Sequence, residues 1–115
     1  MTILCIDGSE SMRLLMRLIL EDAGHEVMTA EDGRQGLQLA GDADLIITEL
    51  FIEGLDGLAL AAELEENRPG LPLLMLTSEP DAGWRGGLPE NIRGWLPKPF
   101  EPQVLTERVE KLGIA

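Results

Sequence analysis

Three short apolar runs, each stopping at a polar residue, constrain this chain more than any other feature. They are Thr2-Ile3-Leu4-Cys5-Ile6 before Asp7-Gly8, Leu45-Ile46-Ile47 before Thr48-Glu49, and Leu71 to Leu76 before Thr77. Each is short for a helix and apolar at consecutive rather than alternating positions, the pattern of strands covered on both faces. Two weaker segments read the same way, His25 to Ala30 and the brief Gly94-Trp95-Leu96-Pro97. Helical recurrence fills the intervals. Ser9 or Ser11 can cap a first helix carrying Met12, Leu15, Leu18, Ile19 and Ala23, and Gly24 can take the left-handed conformation after its end. Asp32 can cap a second from Gly33 to about Ala40. Leu58, Leu60, Ala61 and Leu64 mark a third, which Pro69-Gly70 ends. Pro102 suits the first turn of a last helix with Val104, Leu105, Val109 and Leu112. From Ser78 to Arg93, the residues Pro80, Gly83, Gly86, Gly87 and Pro89 leave room for a short or irregular helix near Asp81 to Arg85, and lower order is expected there.

Five strands alternating with helices predict an α/β fold, a doubly wound five-stranded parallel sheet with helices on both faces, built by residues 1–115 as one domain. Right-handed crossovers put every strand's carboxyl end on one edge, and ligands gather there where the strand order reverses. Asp7, Glu49, Thr77 and Lys98 all fall at or just beyond strand ends, so the sequence brings them to that edge.

Charge narrows the function. With 21 acidic and 9 basic residues the chain carries −12, and no basic cluster offsets it. Direct nucleic-acid or membrane binding is therefore not expected, and protein partners are. Arg13 and Arg17 share a helix face as a solvated patch. No apolar run approaches the roughly 18 residues of a membrane span, and the first residues lack a basic flank, so a cytoplasmic location is expected. Cys5 is the single cysteine and reads as a small buried hydrophobe, the five methionines as core filler, and His25 as a surface turn residue.

Taken together, Ile3 to Ser9, Asp44 to Glu49, Leu55-Asp56-Gly57, Leu76-Thr77-Ser78 and Lys98-Pro99-Phe100 resemble the receiver domain of two-component response regulators, over nearly the whole chain. Ser9 to Arg13 and Gly94 to Phe100 are similar to chemotaxis-type receivers. The resemblance implies a flavodoxin-like fold and a phosphorelay role. It also implies that an aspartate at position 49 would accept phosphate and that an acidic pair at 7 and 8 would help to hold magnesium. Here position 49 is Glu and the pair has become Asp7-Gly8, an acidic pocket with one member lost. Thr77, Trp95 and Lys98 match the family's phosphate-sensing hydroxyl, switch aromatic and lysine, and Lys98-Pro99 its cis peptide.

Both departures fall on the chemistry. Glutamate adds one methylene, roughly 1.5 Å, to the reach of the carboxylate, and magnesium tolerates little loss of oxygen ligands. Phosphoryl transfer depends on positioning, so a displaced nucleophile loses rate. The expectation is an atypical pseudo-receiver: a non-enzymatic signalling module with no cofactor and no metal. Glu49 would pair with Lys98 as a built-in phosphoaspartate mimic, a contact of about 1.5 to 3 kcal/mol when shielded from water. The expected partners are a sensor kinase, another regulator or an effector, met through the fourth and fifth helices and the fifth strand, with homodimerisation through the same face a further option. Three readings compete with it. One is a site that has merely decayed, another a conventional receiver that still accepts phosphate weakly, and the third a small flavodoxin-like enzyme or nucleotide binder. The third lacks a phosphate-cradling loop, since Asp7-Gly8-Ser9-Glu10-Ser11 holds one glycine and two acids.

Overall fold

A computed structural model describes residues 1–52, 54–78 and 89–113. The short helix expected near Asp81 to Arg85 lies outside the described residues. Five strands, β1 (Thr2–Ile6), β2 (Glu26–Ala30), β3 (Leu45–Glu49), β4 (Leu73–Thr77) and β5 (Ile92–Pro97), pair in parallel in the order β2-β1-β3-β4-β5. The order reverses between β1 and β3, where Ile6 stands opposite Thr48.

The strands' consecutive apolar residues divide between two faces. Leu4, Ile6, Ile46, Leu73 and Met75 point to one core layer. Ile3, Cys5, Leu45, Ile47, Leu74 and Leu76 point to the other. Helices α2 (Gly33–Leu39) and α3 (Gly57–Asn67) cover the first layer, α3 through Leu60, Ala61 and Leu64. Helices α1 (Glu10–Asp22) and α4 (Pro102–Gly113) cover the second, through Met16, Leu20, Leu105 and Val109. A doubly wound α/β sheet is thus the observed architecture. Close approach fixes α2 against β1 and the loop before α3: a Cβ on Gly36 would come within 2.3 Å of Ile6 Cδ1, and one on Gly33 within 1.8 Å of the Leu55 carbonyl oxygen.

Local signals set the helix ends. Ser9 Oγ accepts from the Met12 N–H at 3.2 Å, Asp32 Oδ1 from the Gln35 N–H at 2.9 Å and Asp56 Oδ1 from the Ala59 N–H at 2.8 Å. Each is an N-cap that satisfies a helix-start donor. Gly24 and Gly70 follow α1 and α3 with φ of +94° and +93°, conformations that suit glycine.

Two expectations need correction. The buried stripe of α1 runs through Met16 and Leu20, with Met12 and Ile19 packed beside them, whereas Leu15 and Leu18 are 41% and 58% exposed. The helix holds more leucines than one face can bury, so spacing alone found Met12 and Ile19 but took Leu15 and Leu18 in place of Met16 and Leu20. His25 is half-buried just before β2 rather than on a surface turn.

Arginines brace the connections. Arg68 donates to the carbonyls of Ala40 (2.8 Å), Gly41 (2.7 Å) and Ala43 (3.2 Å), tying the end of α3 to the 3-10 turn Ala40–Asp42 that precedes β3. Arg13 and Arg17 on α1 donate to the carbonyls of Asp7 and Val27 at 2.8 and 3.3 Å, Arg93 donates to that of Glu90, and Arg108 to that of Trp95.

Candidate functional site

The site stands at the carboxyl edge of β1, β3, β4 and β5. Asp7 follows β1 and is 1% exposed. Its Oδ1 accepts from the Ser9 N–H at 2.9 Å, an Asx-type turn that orients the carboxylate, while Arg13 holds its carbonyl oxygen. Glu49 ends β3 opposite Leu76, and the Leu50 N–H continues the pairing by donating to Leu76 O at 2.9 Å. The Glu49 carbonyl accepts from the buried Thr48 hydroxyl at 3.0 Å. Lys98 follows β5, its N–H donating to Thr77 O at 2.9 Å, and the Lys98–Pro99 bond is cis.

These placements converge on one ammonium. Lys98 Nζ donates to Asp7 Oδ2 at 2.7 Å and to Glu49 Oε1 at 3.3 Å, with side-chain exposures of 19% for Lys98, 1% for Asp7 and 29% for Glu49. The second carboxylate oxygen of Glu49 lies 3.5 Å from the Gly8 N–H, a long contact. The expected Glu49–Lys98 pair is therefore present, but it is the longer of two contacts: the shorter and better shielded bond goes to Asp7. Thr77, 2% exposed, closes β4 opposite Pro97. Trp95 is half-buried within β5 and packs against the core layer under α2 and α3, while Pro99 is exposed. Of the residues singled out from the sequence, Asp7, Gly8, Glu49 and Lys98 meet, Thr77 joins them through the backbone, and Trp95 faces the core.

Gly8 leaves a hollow. A Cβ built there meets nothing within 4 Å, and a cavity of about 300 Å³ opens beside it, bounded by Gly8, Glu31, Asp32, Glu49, Phe51 and Ile52. A divalent cation of the kind the family uses does not fit the donors present. Both Asp7 oxygens are engaged, one by an ammonium, and residue 8 offers no side chain. Among the described residues no three His, Cys, Asp or Glu side chains are placed to hold a metal. Behind the site, burial pushes the Cys5 thiol up to about 12, against the opposing pull of Arg17. At neutral pH it is a thiol packed in the core.

Two neighbours escaped the sequence reading. Arg13, expected in a solvated patch, instead fixes the main chain at Asp7. Phe51, two residues past Glu49, is 61% exposed on the rim of the hollow. An aromatic just beyond a strand-end acid was the available signal.

The sequence pattern described as the response regulator receiver domain matches residues 3–110. Over 113 residues the chain is 32% identical to the alkaline phosphatase synthesis transcriptional regulatory protein PhoP of Bacillus subtilis, covering 96% of this chain but 47% of that protein. It therefore spans about half the length of that relative. It is also 32% identical to the chemotaxis protein CheY of Pseudomonas aeruginosa, over 97% of this chain and 95% of CheY. Among solved structures, the response regulator TrrA of Thermotoga maritima in complex with Mg(2+)-BeF is 29% identical and superposes with a TM-score of 0.83 over 96% of this chain and 97% of that one. By the pattern that spans it, its relatives and its fold, this chain belongs to the response regulator receiver domain family of two-component signalling.

Proposed function

We propose that this receiver signals by protein–protein contact without phosphoryl transfer, its state set by a cluster of Asp7, Glu49 and Lys98. The observation that carries the reading is the position of the Lys98 ammonium, 2.7 Å from Asp7 and 3.3 Å from Glu49. The lysine supplies between two carboxylates the positive charge that a metal site would need a third ligand to hold. Glu49 serves as the built-in mimic, its extra methylene carrying charge toward the place of a phosphoryl group. At 29% exposure and 3.3 Å its contact with Lys98 contributes about 0.5–1 kcal/mol. That is less than the sequence suggested, and it biases a two-state element roughly two- to fivefold. The remainder of the lysine's anchoring comes from Asp7.

The partner on this reading is a sensor kinase, another regulator or an effector that recognises the fixed state through β5 and α4, or a second copy of the chain. Thr77 and Trp95 take their family places as the hydroxyl and aromatic that couple the site to that face, and Pro99 sets the lysine's approach. The similar structure TrrA was solved with Mg(2+)-BeF, whereas in this chain Gly8 offers no side chain and Lys98 engages an oxygen of Asp7. A second reading, a decayed site, draws on the shorter Lys98–Asp7 bond, which holds the lysine whether or not Glu49 contributes.

Intact-mass measurement after incubation with acetyl phosphate and magnesium tests the first claim. No phosphoryl adduct is expected, and stable addition of one phosphoryl group at Glu49 would overturn it. The double change Gly8→Asp with Glu49→Asp should recover magnesium binding, because the space beside Gly8 is open. Partner affinity of Glu49→Gln separates mimicry, where it shifts, from decay, where it does not.

A further inference from the structure

We infer that the groove between α1 and the edge strand β2 binds a small phosphate monoester, gripped by Arg13 and Arg17 from the helix and by Thr29 from the strand. A cavity of about 270 Å³ opens there, lined by Glu10, Arg13, Leu14, Arg17 and Thr29. Asp7, Glu49 and Lys98 do not line it, so it is separate from the cluster at the sheet's carboxyl edge. Both arginines are half-buried, and each donates to a neutral carbonyl, Arg13 to that of Asp7 at 2.8 Å and Arg17 to that of Val27 at 3.3 Å. Such bonds hold a guanidinium in place and leave its charge intact. Among the described residues the ion pairs are those of Lys98, so neither arginine is paired with a carboxylate, in a chain that has 21 acids. Arg17 also keeps its Nε buried without a hydrogen-bond partner, a state that costs free energy and calls for an acceptor.

The ligand's chemistry follows from the donors. A guanidinium presents about five N–H groups in a planar fork, and the carbonyl bonds leave most of them unused. Arg13 and Arg17 stand one helical turn apart and so face the same anion, while Thr29 brings a hydroxyl from the opposite wall. Two positive charges and donors from two directions suit a phosphate monoester, which carries about −1.5 to −2 at neutral pH on three oxygens. A carboxylate offers less charge and fewer acceptors. Glu10 lies on the exposed rim, where water screens its repulsion, and Leu14 gives the organic part of the ligand an apolar wall. The cavity falls just below the usual range of about 300 to 1,000 Å³ for ligand pockets, which limits that part to a few atoms. Because carbonyls already fix both arginines, binding orders little that was free. The chain's −12 opposes a long polyanion more than a small one, which meets only the charges of the groove.

The inference stands apart from the contact-signalling reading, since a phosphoryl adduct at Glu49 would sink that reading and leave the groove untouched. The test titrates the intact, isotope-labelled chain with glycerol 3-phosphate, inorganic phosphate and acetate in separate arms at one ionic strength. Glycerol 3-phosphate should give saturable amide shifts centred on Arg13, Arg17 and Thr29, with a Kd of about 1 mM or below. Inorganic phosphate should bind the same residues more weakly, lacking a part to cover Leu14, and acetate should not saturate. Arg17→Lys keeps the charge but loses the fork, and it should weaken binding about tenfold. Thr29→Val keeps the side-chain shape and should weaken binding about threefold or more while the urea midpoint holds, a result that a merely structural role does not produce. Absence of saturable shifts, shifts centred on Glu49, Phe51 and Ile52, or acetate binding as tightly as the monoester would overturn the inference. So would parent-like affinity in both variants, or tighter binding of inorganic phosphate, which assigns the groove to the free anion.

Discussion

Replacing Asp7 by Asn should destabilise the fold more than replacing Glu49 by Gln, although Glu49 occupies the position that defines the family's chemistry. Both changes remove one negative charge and keep the side-chain shape. At 3.3 Å the gross Lys98–Glu49 attraction is ~1 kcal/mol at the dielectric of water and ~5 at an effective value of ~20. Glu49 is 29% exposed, so solvent screening and side-chain ordering reduce the net contact to about 0.5–1 kcal/mol. Glu49→Gln also leaves a neutral Asp7–Lys98 pair in place of a cluster with one excess negative charge, and that relief offsets part of the loss. The expected cost is about 0–0.5 kcal/mol. Asp7 is 1% exposed and holds Lys98 at 2.7 Å, and its replacement leaves the lysine with its longer, wetter partner. Asn still accepts from the Ser9 N–H, so the change isolates charge. Its expected cost is about 1.5–2.5 kcal/mol, below that of breaking a fully buried pair because Lys98 is 19% exposed. Urea unfolding followed by circular dichroism, with slopes that match between variants, measures both. Equal costs, or a larger cost for Glu49→Gln, would refute the assignment of Asp7 as the lysine's principal anchor.

Three more expectations follow from the packing. Arg68→Ala should cost about 2 kcal/mol in the same unfolding assay, because three carbonyls lose a charged donor, and Arg68→Lys should recover only part of it. Gly33→Ala should cost more than about 2 kcal/mol, since its Cβ would collide with the Leu55 carbonyl, whereas Gly8→Ala should stay within about 0.5 kcal/mol. Cys5 should resist alkylation at pH 8 in the native chain and react on unfolding. Its folded pKa, raised from 9.0 to about 12, means the folded state holds the thiol proton more tightly, so this contribution to stability is complete below pH 9 and is lost as pH rises toward 12. A pH series of urea midpoints on Cys5→Ala and the parent reads it out.

The strands were legible because their apolar residues are consecutive and stop at polar ones, and β1 runs over the expected residues, Thr2–Ile6. The caps at Ser9 and Asp32 were legible because a short side-chain acceptor before an apolar-periodic segment has few other uses. The meeting of Asp7, Glu49 and Lys98 followed from topology, which gathers parallel strand ends on one edge. What topology does not give is distance, so the preference of Lys98 for Asp7 over Glu49 could not be read from residue types. The orientation of α1 was illegible for a different reason. In Met12-Arg13-Leu14-Leu15-Met16-Arg17-Leu18-Ile19-Leu20 several overlapping stripes satisfy helical spacing, and only packing against β1 and α4 selects Met16 and Leu20. Arg68 escaped because a side chain that binds carbonyls 25 to 28 residues away leaves no local pattern.

The arginine contacts have a consequence for how other molecules approach the chain. Arg13, Arg17, Arg68, Arg93 and Arg108 each donate to a main-chain carbonyl, and Lys98 is held by two carboxylates, so six of the eight cations among the described residues contact their own protein. Out to a Debye length of about 8 Å at physiological salt, an approaching molecule is steered by the summed charge, which is strongly negative. Seen from contact, a polyanion meets few basic side chains able to swing out and adapt to it. A cationic partner is drawn in at range and finds carboxylates at close quarters, so its association rate should carry a steep ionic-strength dependence while dissociation is governed by the apolar surface it covers.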